Sequence, residues 1–130
     1  MDAEKNRIYV LNLGENKKYI GRIDEGYSFT DRLHKYENGG GCKWVMKYGY
    51  LDLIEIIDSN SPFDEMNITL KYMKLYGIDN VRGSCWNAVD SYGKYSSTTN
   101  QINRMLESVY NCCHLCGEPN HYSYFCEKSK

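Results

Sequence analysis

Two short apolar runs open the pattern: "RIYVLNL" at 7–13 and "KKYIGRI" at 17–23. Both are rich in the β-branched and aromatic residues that suit a pleated surface. Gly14, Glu15 and Asn16 between them carry a turn signal, so the pair predicts a β-hairpin. A three-residue loop sets residue 13 opposite 17 and, with a side-chain period of two, puts Tyr9, Leu11, Tyr19 and Gly21 on one face. A two-residue loop would send Tyr9 and Tyr19 to opposite faces. Downstream, Phe29, Leu33 and Tyr36 recur at helical spacing, with Ser28 as N-cap and glycines from 39 as the stop. "YLDLIEIID" at 50–58 predicts a third, largely buried strand. The segment 61–77 predicts a helix: Ser61 caps it, Pro62 takes the first position, and Asp64 and Glu65 face the positive end of the dipole. Phe63, Met66, Leu70 and Met73 form its apolar stripe. Residues 78–89 predict irregular chain. A last helix spans 96–110, with Ile102, Met105, Leu106 and Val109 on one face.

This order predicts an α+β fold: a small three-stranded antiparallel sheet flanked by helices, followed by a C-terminal appendage. The expected divisions are a domain at 1–88, a connecting segment with a helix at 89–110, and a terminal module at 111–130.

Composition changes this picture little. The 130 residues are 42% apolar and 25% charged, ordinary globular values. The thirteen tyrosines, with many lysines and asparagines, match an AT-rich coding bias and carry no functional weight. A net charge of -1 does not announce a strongly basic nucleic-acid binder, although 16 Lys and Arg spread along the chain leave room for a local basic face. The start, "MDAEKNRIYVLNL", has no apolar core of signal-peptide length, and no run approaches the roughly 18 apolar residues of a membrane span. The expectation is a soluble intracellular protein, in cytoplasm or nucleus, without a membrane partner. In a reducing compartment the six cysteines do not read as disulfides. Cys42 and Cys85, isolated in sequence, are expected to be buried apolar thiols.

The densest chemistry lies in "CHLCGEPNHYSYFC", residues 113–126. Cys113 and Cys116 are two residues apart, and His121 and Cys126 each follow after four more. Zinc takes four thiolate or imidazole ligands in a tetrahedron, and a segment this short folds on the energy of its metal. Cys112 stands one residue too far from Cys116 to replace Cys113. The spacing resembles the retroviral-type CCHC zinc knuckle. Tyr122 matches that family's aromatic after the His, while His114 and Asn120 replace its first aromatic and its usual Gly. The resemblance implies a structural Zn²⁺ and a surface, Tyr122 with His114, on which bases of single-stranded nucleic acid stack. The other reading is a zinc-stabilised protein-contact module.

At the other end, "RIYVLNLGENKKYIG" resembles the paired motifs of the GIY-YIG endonucleases, over about residues 5–85. Arg7, Ile8 and Tyr9 stand for the first motif, with Arg replacing its Gly. Tyr19, Ile20 and Gly21 match the second. Arg32 in "TDRLHKY" takes the place of the catalytic arginine, Glu65 in "FDEMNITL" that of the metal-binding glutamate, and Asn80 in "GIDNVRG" that of the family's asparagine. His34 and Tyr36 follow Arg32 two and four positions on. The stretch 63–83 also resembles domains of large DNA viruses in which a zinc knuckle follows, which would put the protein in an infected host cell. The resemblance implies phosphodiester hydrolysis, DNA or RNA, with catalytic Mg²⁺ on Glu65. Tyr9 would be the base or orient the water, Tyr19 would assist, Arg32 would stabilise charge on the phosphate, and Asn80 would orient the site. The alternatives are a catalytically inactive nucleic-acid-binding protein and a protein-interaction adaptor on the same fold.

Overall fold

The computed structural model describes residues 6–24 and 26–110. The chain divides into two compact units, Met1–Ser91 and Tyr92–Lys130.

In the first unit, strand β1 (Arg7–Leu13) and strand β2 (Lys18–Ile23) form the expected antiparallel hairpin. The loop has three residues: the Leu13 N–H donates to the Lys17 carbonyl at 2.8 Å. Tyr9 lies opposite Gly21 and Leu11 opposite Tyr19, so these four share a face. Glu15 and Asn16 take positive φ, 58° and 61°, to close the turn.

Helix α1 (Phe29–Glu37) follows, with the Ser28 hydroxyl accepting from the Asp31 N–H at 3.3 Å as its cap. A short helix α2 (Lys43–Tyr48), absent from the sequence expectation, leads into strand β3 (Tyr50–Asp58). Helix α3 runs Asp64–Tyr76. The helix starts later than anticipated: Phe63, not Ser61, is its N-cap, and no side chain caps it. The Ser61 hydroxyl accepts from the Phe63 N–H at 3.2 Å, and the Asp64 carboxylate accepts back from the Ser61 N–H at 3.0 Å. This reciprocal pair closes the turn that precedes the helix. It holds the Asp64 carboxyl below its usual range: backbone N–H groups of Asn60 and Ser61 and the Ser59 hydroxyl all favour the anion.

The sheet departs from the three-stranded antiparallel expectation. Residues 81–83, expected to be irregular, form strand β4 (Val81–Gly83), which pairs parallel with β2. The result is a four-stranded mixed sheet in the order β3-β1-β2-β4. Strand β3 also differs from the buried strand anticipated. It is an edge strand, and its register against β1 slips twice, leaving Ile54 and Leu51 without opposite residues. Those two are 42% and 61% exposed. Such bulges twist an edge away from further pairing.

Two packed layers cover the sheet. On one face Tyr9, Leu11, Leu13 and Ile23 pack with Tyr36 of α1 and with Trp44 and Val45 of α2. On the other face Ile8, Val10 and Ile20 are fully buried, and Leu70, Tyr72 and Met73 of α3 are buried as well. The α3 layer is fixed there by contact with β2 and β4 and by the Tyr72 hydroxyl, which donates to Glu55 of β3.

In the second unit, helix α4 (Ser97–Tyr110) is capped by Ser96, whose hydroxyl accepts from the Thr99 N–H at 3.1 Å. Ile102 and Leu106 of the predicted stripe are buried, whereas Met105 and Val109 are exposed. Cys42 is half-buried and Cys85 exposed, so neither is the buried thiol expected. No helix among the described residues is long and apolar enough to cross a membrane.

Candidate functional site

Tyr9 anchors the site. Its ring is fully buried at the centre of the hairpin, and Gly21 opposite makes room for it. A Cβ at Gly21 would lie 2.2 Å from Tyr9 Cζ, so only glycine fits beneath that ring. Around it stand Tyr19, Phe29 and Tyr36, with ring centroids 6.5, 5.3 and 6.0 Å away. The Tyr9 and Tyr36 hydroxyls share a hydrogen bond of 2.5 Å, and Arg32 Nη1 donates to Tyr9 Oη at 3.4 Å. Helix α1 supplies both partners because residues four apart lie on one helix face.

Burial pushes the Tyr9 phenol far above its ordinary range, and Tyr36 adds to this. Tyr9 therefore holds its proton at neutral pH. Burial raises the Tyr19 phenol too, with Cys42, Tyr36 and Glu65 adding to it. For Arg32, partial burial opposes the charge, but Tyr9 and Tyr36 outweigh it and hold the guanidinium protonated.

Glu65, in the first turn of α3, is half-buried. Burial raises its carboxyl above the usual range; Arg22 and the Ser84 N–H pull it down, and Asp24 pushes it up again. Ser84 offers that N–H from a left-handed conformation, φ 55°, just past the end of β4. Because β4 has only three residues, it stops where β2 reaches Ile20 and leaves the rim at Gly21 and Arg22 to Glu65.

The structure brings three of the five sequence-predicted residues together, Tyr9 with Arg32 and with Tyr19, while Glu65, in the first turn of α3, touches none of the three by a hydrogen bond or ion pair. Asn80 is placed elsewhere. It sits at the opposite end of β4 from Ser84, about 13 Å along an extended chain. Its amide oxygen accepts from Lys17 Nζ at 2.6 Å and its amide nitrogen donates to the Tyr76 carbonyl at 2.7 Å. It closes the C-terminus of α3. Tyr36, Cys42, Arg22 and Ser84 are the neighbours sequence reasoning left out of the site. Only Tyr36 had a legible signal, its spacing of four from Arg32.

A half-buried carboxylate whose charge is disfavoured by burial suits a divalent cation, which would relieve that cost. Mg²⁺ commonly takes one or two protein carboxylates with water and phosphate oxygens, and Glu65 would supply one, whereas Asp24 is ion-paired with Arg22 at 2.7 Å. Among the described residues, no group of three or more His, Cys, Asp or Glu is disposed to hold a metal. Cys113, Cys116, His121 and Cys126, with His114 and Tyr122, lie outside the described residues. Compared with family models, curated proteins and solved structures, the chain matches none.

Proposed function

We propose that the first unit is a metal-dependent endonuclease of the GIY-YIG kind and that the C-terminal segment is a zinc knuckle presenting single-stranded nucleic acid to it. The observation that carries the reading is the aromatic cluster of the hairpin: the Arg32 guanidinium donates to the buried Tyr9 hydroxyl, which in turn shares a hydrogen bond with Tyr36.

In this reading Glu65 holds Mg²⁺, which when bound supplies charge neutralisation and an activated water. Arg32 stabilises the charge that develops on the phosphate. A guanidinium has five donors, and orientation by Tyr9 and Tyr36 pre-sets the rest of the fork for a phosphate oxygen. Tyr9 keeps its proton, so we give it a positioning part rather than that of a base. Tyr19, half-buried, orients the attacking water by hydrogen bonding. In the knuckle, Cys113, Cys116, His121 and Cys126 hold Zn²⁺, and Tyr122 with His114 offers stacking surface.

The second reading, a protein that binds nucleic acid without cutting it, draws on one observation: both tyrosines hold their protons. Cleavage of branched and supercoiled DNA with Mg²⁺ separates the two, with Mn²⁺ and RNA as controls. Glu65→Gln is expected to lower cleavage by about 10²–10³-fold, the scale of losing one strong electrostatic contact to the reacting group. Its melting temperature should hold, because a neutral side chain suits that half-buried position. If wild type cuts nothing under any of these conditions yet shifts single strands in a gel, the binding-only reading replaces the first.

A further inference from the structure

The turn of the hairpin meets the end of α2. The Gly14 N–H donates to the Gly49 carbonyl at 3.0 Å, and a Cβ at Gly14 would lie 2.4 Å from the Tyr48 carbonyl oxygen. This close approach brings lysines from two elements to one ring. The Lys17 ammonium lies 5.3 Å from the Tyr48 ring centre and the Lys47 ammonium 5.2 Å. The two ammoniums are therefore no further apart than roughly 10 Å, the Debye length at 0.1 M salt. Lys43 stands one helical turn before Lys47, and residues four apart share a helix face. Lys43 and Lys47 are exposed and Lys17 half-buried, while Trp44 and Val45 turn the other side of α2 into the core. The patch is separate from the Arg32 cluster: about 13 Å of extended chain divides Lys17 from Gly21.

Like charges this close repel, and none of the three lysines is ion-paired with a carboxylate among the described residues. Glu15, in the same turn, is exposed and pairs with none of them. The Tyr48 ring offsets part of the repulsion, since each ammonium is attracted to its face. Lys17 is also held in place: it donates to Asn80 Oδ1 at 2.6 Å, and Asn80 Nδ2 donates to the Tyr76 carbonyl at 2.7 Å. Tyr48 packs edge-on against Trp44, ring centres 4.8 Å apart, and Trp44 Nε1 donates to the Lys18 carbonyl at 2.9 Å. A cationic surface fixed in this way needs little further ordering to meet an anion.

We propose that Lys17, Lys43 and Lys47, gathered about Tyr48, form a docking surface for the phosphate backbone of a nucleic-acid strand. Ammonium groups act as point charges, whereas bidentate recognition of a carboxylate favours arginine. Lysines without an arginine therefore suit a chain with one phosphate per nucleotide better than an acidic peptide. Such a surface grips backbone and reads no sequence. Asn80 is a positioning residue here, acting through Lys17. The choice of partner rests on the nucleic-acid reading above; cleavage plays no part in it.

The test is equilibrium binding of a fluorescent thymidine oligonucleotide to the full chain, without Mg²⁺, across a salt series. Lys17→Gln, Lys43→Gln and Lys47→Gln are each expected to weaken binding several-fold at low salt. Each should also lower the slope of log affinity against log salt by about 0.7, the value for one phosphate on a single strand. Asn80→Ala keeps every lysine, so it is expected to weaken binding with the slope unchanged. Glu15→Asn removes a negative charge and tolerates the positive φ of 58° there, and it should tighten binding. Lys71→Ala, an exposed lysine on α3, is the control and should bind as wild type. Folded Lys17→Gln and Lys47→Gln proteins with wild-type affinity and slope overturn the surface and leave the nucleic-acid reading standing. A wild type that binds no strand even at low salt overturns both. Polyglutamate that displaces the strand as well as polythymidylate does, at equal charge concentration, gives the surface to an acidic protein and overturns the nucleic-acid assignment.

Discussion

The two faces of the sheet are buried to similar depth but built from different side chains. Against α3 the strands present Ile8, Val10 and Ile20, which meet Leu70 and Met73. Against α1 and α2 they present Tyr9 and Tyr19 with Leu11 and Leu13, and the helices answer with Tyr36 and Trp44. Aliphatic groups fill space without direction. A tyrosine fills space and also aims a hydroxyl, which must find a partner once buried. On the aromatic face Tyr9, Tyr36 and Arg32 satisfy one another, so the packing that stabilises this face also orients the guanidinium. The aliphatic face therefore supplies stability, and the aromatic face supplies stability and chemistry together.

The largest effect expected from that division is on the aliphatic side. Leu70→Ala should cost about 2–5 kcal/mol of stability, the range for a buried leucine truncated to alanine. Denaturant unfolding measures it. Well below the new midpoint, nucleic-acid binding and any cleavage should match wild type. A Leu70→Ala protein that is folded but functionally impaired would erase the distinction between the faces.

Next comes Gly21→Ala. The added methyl meets the Tyr9 ring, so the ring must move, at a cost of about 1–3 kcal/mol for an overpacked core. Unlike Leu70→Ala, this change should impair function as well as stability, because Tyr9 carries Arg32 with it. Smaller again is Tyr36→Phe, which keeps the ring and deletes the hydroxyl. It should lose about 1 kcal/mol of stability for one hydrogen bond. Cleavage, where present, should fall about tenfold, equivalent to about 1.4 kcal/mol in the barrier. Wild-type cleavage rates in a folded Tyr36→Phe protein would show that Arg32 does not depend on this pair.

How far these features could be read from sequence follows from how local their causes are. The hairpin was legible from its turn residues, but its register was not, because two- and three-residue loops both fit the sequence; α1 was legible because a cap and periodic apolar residues mark it, and α3 because its apolar residues recur at helical spacing. Strand β4 was not. It has three residues, its partner is a strand some sixty positions earlier, and its central Arg82 reads as polar although it is fully buried. Helix α2, six residues long, is too short to show a period. The two bulges of β3 depend on its pairing with β1 and leave no mark in its own sequence, which reads as a buried run. In the site, Tyr9, Tyr19, Arg32 and Glu65 could be placed because each belongs to an element the pattern predicts. Asn80 could not, because its position follows from where β4 starts. Neither could Ser84, whose contribution is a backbone N–H and carries no side-chain signal.

The smallest prediction concerns Lys18, buried on the α3 side of the sheet. Lys18 is 4% exposed; its ammonium lies 4.7 Å from the Tyr76 ring centre and donates to the side-chain oxygens of Asn12 and Asn16, each at 3.0 Å. Burial lowers its pKa from 10.5, with Asp52 opposing that shift. The folded protein therefore gives up this proton more readily than the unfolded chain does. The stability linked to the neutral amine is fully present above pH 10.5, and it is lost as pH falls through the depressed folded value. Wild type should thus gain stability relative to Lys18→Met as pH rises towards 10.5 and then level off, since groups common to both proteins cancel in the difference. Urea midpoints from neutral pH upwards measure it. Parallel curves would mean that the ring and the two amides fully replace the lost hydration. The buried charge would then impose no cost on this face.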